Sequence, residues 1–350
     1  MKRRLFLALV VLLGIFALPL RCPAPLVYRP GEGWTYEAVG ESKWTKARAK
    51  DQYEVAQQAF DAGKYRLALK AARRTVSRWP LSDSAPKAQY LVGRSYEAKG
   101  WDERAFKEYQ RLVEKYPKAE NYSEILQRQF AIAQRFLGGQ WFKLWGVIPF
   151  FPSMDKTADM LAKIVRNGPF SPVGPQAQMS IGSAREKQKD YVLAVRAYEK
   201  AADVYSEDRK IAAEATFRAA QAWTKQAKTA EYDQSAAGQA IATFGDFMTL
   251  YPEDPRGTNA QKVIASLRTE QSRGAFELAQ YYERKRRWRA AEIYYNDSVS
   301  KDRDSPYAAD SLKRLEVLRR RITRSQPAPK PEPGTPAPVP ASNRPDALPQ

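Results

Sequence analysis

The chain has 350 residues, a formal charge of +19, no histidine and a single cysteine. This length can bury a substantial core, in one or two domains or in one extended array. The missing histidine removes Ser-His and Cys-His catalysis and histidine metal sites, and one cysteine allows no internal disulfide. The sequence also holds no Gly-rich phosphate loop, cysteine pair or metal-spaced acidic loop. It therefore reads as non-catalytic, with no cofactor and no small-molecule substrate. The positive charge is interspersed with 39 Asp and Glu residues along amphipathic stretches. That pattern argues against nucleic acid and for anionic membrane lipid or acidic protein partners.

In chain order, Lys2, Arg3 and Arg4 precede an uncharged apolar run from Leu5 to Leu20, which is the form of an export signal. The run is short for a spanning helix, which needs ~20 apolar residues, although an uncleaved N-terminal anchor is the alternative. Either way the body of the protein is expected outside the cytoplasm. Cys22 stands where bacterial lipoprotein signals place the lipidated cysteine, so residues 1–22 are expected to form a signal or lipoprotein-type anchor. Arg21 precedes it instead of the usual small residue. Residues 23–45 contain Pro23, Pro25, Pro30, Gly31 and Gly33 and are expected to be an extended tether with little regular structure.

From about residue 46 to 322 the sequence repeats a fixed register. Ala68, Ala105, Ala194, Ala240 and Ala290 align as small anchors, followed four residues later by Ala72, Tyr109, Tyr198, Phe244 and Tyr294. Eleven residues past the anchor stand Trp79, Tyr116, Tyr205 and Tyr251, three of them followed by proline, and Lys301 takes the fifth place. A small residue lets two helices approach closely, the aromatic one turn later fills the space between them, and the proline stops the second helix. Gly63 and Gly100 fall where paired helices must turn. Such hairpins cannot bury their own apolar faces, so about six of them are expected to stack as an all-α tetratricopeptide-type superhelix, with no β-sheet.

The 89-residue gap between Ala105 and Ala194 needs a poorly matching unit, placed at residues 122–167 with helices near 122–137 and 154–167. Between them, residues 138–153 form an apolar insertion with Trp141, Phe142, Trp145, Phe150 and Phe151. Its functional readings are a partner-docking loop or a membrane contact, against a loop that folds back to cap the repeats. Glu103 and Glu108 sit at helical spacing and read as solvated. Arg284, Arg286, Arg287 and Arg289 cluster at a predicted helix end and turn. There they complement the helix C-terminus or form a basic surface for an acidic partner. Residues 323–350, with nine prolines from Arg324 onward, read as a Pro-rich tail that packs no core.

The register resembles the tetratricopeptide consensus. A narrower resemblance lies in residues 251–322, where Tyr281-Tyr282, Trp288 with Ala290-Ala291, and Ser305-Pro306-Tyr307 are similar to the last repeats of the BamD-type outer-membrane assembly lipoprotein family. The resemblance implies a scaffold at the periplasmic face of the outer membrane, held through its N-terminus. Its implied partners are the assembly channel protein and unfolded outer-membrane protein segments. A peptide groove would run along the first helices of successive hairpins, with Tyr53, Gln57, Tyr90 and Arg94 leading to Arg128 and Gln134. In that groove aromatics would take apolar side chains and arginine a terminal carboxylate. The alternative is a peptidoglycan-associated, cell-division or secretion-system scaffold.

Overall fold

The computed structural model describes residues 26–29, 33–36, 44–144, 148–229 and 234–325. The apolar run, Cys22, Trp145 and residues 326–350 of the Pro-rich tail lie outside these residues, while 323–325 continue the last helix. Among the described residues no helix is long and apolar enough to cross a membrane.

Thirteen helices account for most of the described chain: α1 (Ala49–Asp61), α2 (Tyr65–Arg78), α3 (Ser84–Ala98), α4 (Asp102–Lys115), α5 (Tyr122–Leu137), α6 (Met154–Asn167), α7 (Gly174–Lys187), α8 (Tyr191–Val204), α9 (Arg209–Thr229), α10 (Gln234–Leu250), α11 (Gly257–Arg284), α12 (Trp288–Lys301) and α13 (Pro306–Ser325). The fold is all-α and tetratricopeptide-like, as the register requires. Two short antiparallel ribbons depart from the expected absence of β-structure. The first pairs β1 (Leu26–Arg29) with β2 (Gly33–Tyr36), inside the segment read as an irregular tether. The second pairs β3 (Phe142–Leu144) with β4 (Ile148–Phe151), inside the insertion. Both are local, because a ribbon between neighbouring segments needs only a short turn.

The chain divides into two compact units, residues 1–222 and 223–350. In the first, α1/α2, α3/α4, α5/α6 and α7/α8 are successive hairpins, and one apolar core runs from Ala56 through Ala72, Val92, Tyr109, Ile132 and Leu161 to Ala177. In the second, Trp223 and Ala227 pack with Ala237, Ala240 and Leu267, while Ala279, Ala291, Tyr295, Leu315 and Leu318 form a core shared by α11, α12 and α13.

The anchors behave as the register predicts in four hairpins. Ala68, Ala105, Ala194 and Ala240 are fully buried. The fifth is displaced by one residue: Ala291 and Tyr295 are fully buried, whereas Ala290 and Tyr294 are only half-buried. With two alanines and two tyrosines side by side, the sequence offers both registers, and packing selects the one that brings Tyr295 to Glu283.

The turns share one closure. Lys64, Trp101, Gln140, Asp190 and Arg287 each donate a backbone N–H to the carbonyl five residues earlier, around Gly63, Gly100, Gly139, Lys189 and Arg286 at positive φ. This is the Schellman arrangement, which satisfies helix-end carbonyls and needs one left-handed residue.

Candidate functional site

The first helices of the first three hairpins present a connected polar and aromatic surface. Tyr53 on α1 donates to the Gln57 side-chain oxygen at 3.1 Å, and Gln57 donates onward to Asp61 at 2.9 Å. On α3 the Tyr90 hydroxyl donates to the Glu124 carboxylate of α5. It also accepts from Arg128 Nε at 2.8 Å and, more weakly, from Arg94 at 3.4 Å. Partial burial and the Glu124 bond raise the Tyr90 pKa, while the Tyr90 and Arg128 bonds hold Glu124 below its ordinary value. Beside these groups a concavity of about 420 Å³ is lined by Tyr53, Pro86, Lys87, Tyr90, Lys118 and Glu120, among others.

The structure thus brings Tyr53, Gln57, Tyr90, Arg94 and Arg128 to neighbouring first helices but gives the two arginines different work. Arg128 is engaged by Glu124 at 2.9 Å and by Glu97 at 3.4 Å, so its charge is already neutralised from within. Arg94 lies over the Phe60 ring at 5.4 Å and the Tyr90 ring at 5.8 Å, adds the weak Tyr90 bond, and helps to lower the Glu124 pKa from a distance, but among the described residues it forms no ion pair. Of the two expected carboxylate-binding arginines, Arg94 is the one whose charge is available. Gln134 stands apart: it donates to Ser180 at 2.7 Å and lines a second concavity of about 360 Å³ with Phe130, Met179, Ile211, Glu214 and Arg218.

The insertion splits in role. Gln140 donates to the buried Asp102 at 2.8 Å, next to the two bonds from Arg135. Phe142 is 3% exposed and stacks on Phe136 with centroids 4.1 Å apart. Its expected place in a contact loop is corrected: it completes the core, because the last turn of α5 carries Phe136, whose ring face would otherwise meet water. Trp141, one residue earlier, is 52% exposed. For Phe150 and Phe151 the structure describes the backbone of β4 alone. Arg284, Arg286, Arg287 and Arg289 are all exposed, and among the described residues none of them forms an ion pair.

Sequence reading missed a recurring polar network. In alternate hairpins a buried tyrosine of the second helix donates to a glutamate twelve residues earlier on the first helix: Tyr109 to Glu97 at 2.8 Å, Tyr198 to Glu186 at 3.0 Å, and Tyr295 to Glu283 at 2.7 Å. An arginine of the next first helix completes each one. Arg128 reaches Glu97, Arg314 lies 3.8 Å from Glu283, and Arg218, paired with Glu214, acts on the Tyr198 phenol so as to lower its pKa. Small residues make room for the ring: a Cβ on Gly93 would fall 2.4 Å from Tyr109, and one on Gly182 would fall 2.3 Å from Tyr198. The twelve-residue spacing between Glu and Tyr is visible in the sequence and could have signalled the pairs. Glu108, expected on a solvated face, is likewise buried and accepts from Gln89 at 2.9 Å.

These repeating hairpins have counterparts in known families. A tetratricopeptide-repeat family model matches residues 53–120. The YfiO family model, described as outer membrane lipoprotein, matches residues 153–331, just over half of the chain. The chain belongs to the YfiO outer membrane lipoprotein family. That membership associates the protein with the cell envelope, and its tetratricopeptide repeats associate it with protein–protein interaction. Among solved structures the YfiO-family chain is similar to the C-terminal part of a TPR repeat-containing protein from Cytophaga hutchinsonii. The two share 18% identity over 76% of this chain and 88% of that one, with a TM-score of 0.34. It is also similar to MamA from Desulfovibrio magneticus RS-1 (15% identity, 59% and 97% covered, TM-score 0.31) and to the apo form of RapI (12%, 79% and 76%, 0.33). No curated protein matches the chain.

Proposed function

We propose that this protein is a non-catalytic scaffold at the periplasmic face of the outer membrane, where it helps assemble β-barrel outer-membrane proteins. Family membership over residues 153–331 carries the reading. The first helices of the first unit supply a physical means: Tyr53, Pro86 and Tyr90 offer ring and apolar surface in a concavity that also carries Lys87, Lys118 and Glu120, and Arg94 offers a cation for a terminal carboxylate. Extended segments of unfolded outer-membrane proteins would lie there, while the second unit docks the assembly channel protein. Trp141, exposed beside a fixed Phe142, would serve as a partner contact. Lipidation of Cys22 would hold the chain at the membrane.

Affinity capture from envelope extracts tests the assignment. Recovery of the barrel-assembly channel is expected. Recovery of a peptidoglycan-associated, cell-division or secretion complex in its place would transfer the scaffold to that system. A peptide ending in the C-terminal residues of an outer-membrane barrel protein tests the groove. Arg94→Ala should weaken its binding by roughly ten-fold, the worth of a charge-assisted hydrogen bond, with the melting temperature unchanged. Equal binding by wild type and Arg94→Ala would remove the arginine from the site.

A further inference from the structure

One end of the second unit concentrates basic side chains. Arg284, Lys285, Arg286, Arg287 and Arg289 occupy the α11–α12 turn, all exposed. The tertiary fold adds to them, because Arg321 of α13 lies over the Trp288 ring at 5.4 Å and brings Arg320 and Arg321 to the same end. Neither Arg320 nor the four turn arginines has an ion pair among the described residues, whereas nearby Arg314 and Arg319 are matched to Glu283 and Glu292. Aromatic and aliphatic surface accompanies the charge. Tyr281 is 48% exposed on α11, Ile293 66% on α12, and Leu312 and Val317 are exposed on α13.

We infer that this end of the second unit binds an anionic phospholipid surface. Guanidinium groups match phosphate oxygens bidentately, and seven basic side chains within one turn and one helix end exceed what helix C-terminal charge requires. A basic helix with exposed apolar residues, flanked by Trp and Tyr, has the composition that settles at the headgroup level of a bilayer. Acidic side chains alone would satisfy the arginines without covering Ile293, Leu312 and Val317, whereas a bilayer offers both phosphate and apolar surface. The family places the chain beside a membrane, so the surface has a bilayer within reach.

Vesicles of phosphatidylcholine alone and of phosphatidylcholine with phosphatidylglycerol test this on the full chain, read as the increment in binding that the anionic lipid produces. All variants share the same N-terminus, so the difference in increment between them isolates the patch from any N-terminal anchor, whose own basic residues Lys2, Arg3 and Arg4 contribute equally to each. Each basic residue near an anionic surface contributes roughly a five-fold gain, so the combined Arg286→Gln, Arg287→Gln, Arg289→Gln and Arg320→Gln variant should lose most of the increment, at least ten-fold. A control with the same charge change in the first unit, Arg66→Gln, Lys107→Gln, Lys163→Gln and Lys200→Gln, should keep it. Equal loss in both variants would reduce the effect to net charge and overturn the inference. An absent increment in the wild type would do the same. So would a patch variant that keeps vesicle binding while losing capture of the assembly channel, since the surface would then belong to an acidic protein.

Discussion

Tyr109, Tyr198 and Tyr295 show how single side chains link hairpins. Each is fully buried with its hydroxyl on a glutamate, so burial first, and the neighbouring carboxylate after it, raises the phenol pKa; for Tyr198 it is pushed up to about 12. Since the folded pKa lies above the ordinary value of 10.0, the neutral phenol is favoured by folding. Its stabilisation is complete below pH 10 and is lost as pH rises through about 12, at about 1.4 kcal/mol per unit for one such group. Tyr198→Phe should flatten this alkaline slope in urea titrations at successive pH values, and an unchanged slope would refute the assignment. Gly93 is the steric complement of Tyr109. Gly93→Ala should cost about 1–3 kcal/mol by overpacking and lower the melting temperature, and truncating Tyr109 to Leu in the same chain should recover part of that loss.

Within the elements, the turns and the insertion answer to different forces. Lys189 sits at φ 63°, a conformation that Gly63 and Gly100 adopt at equivalent turns. A side chain costs roughly 1 kcal/mol there, so Lys189→Gly should raise stability by up to that amount, against some added freedom of the unfolded chain. Gly100→Ala should lower it by a similar amount. In the insertion, Phe142→Ala should cost ~3–5 kcal/mol as a buried aromatic. Trp141→Ser at the neighbouring exposed site should stay within about 0.5 kcal/mol. Comparable losses of melting temperature for both would show that the whole segment is core.

For the whole molecule, stability in stacked hairpins is a sum of neighbouring contributions. The Gly93→Ala strain should therefore appear in hydrogen exchange as lost protection in α3, α4 and α5, with α11 to α13 unaffected. Uniform loss along the chain would mean that it unfolds as a single cooperative body. Far-UV circular dichroism of the full chain should be dominated by helix, because among the described residues the β-ribbons involve only fifteen residues in four strands.

The hairpins and their class are legible in short stretches of sequence. The small and aromatic positions lie within one helical turn of each other, and the turn glycines next to the helices they end, so each signal acts over a few residues of chain. The helices at 122–137 and 154–167 were readable for the same reason, even with the repeat register absent between Ala105 and Ala194. Packing between helices settles which of two tyrosines enters the last core, shelters Phe142 beside Phe136, and pairs Arg128 with Glu124 and Glu97 while Arg94 stays outside any ion pair among the described residues. It also decided that α13 returns Arg320 and Arg321 to the α11–α12 turn. Each of these depends on how helices cross, a geometry set by ridges and grooves along their whole faces, and no short stretch of sequence holds that information.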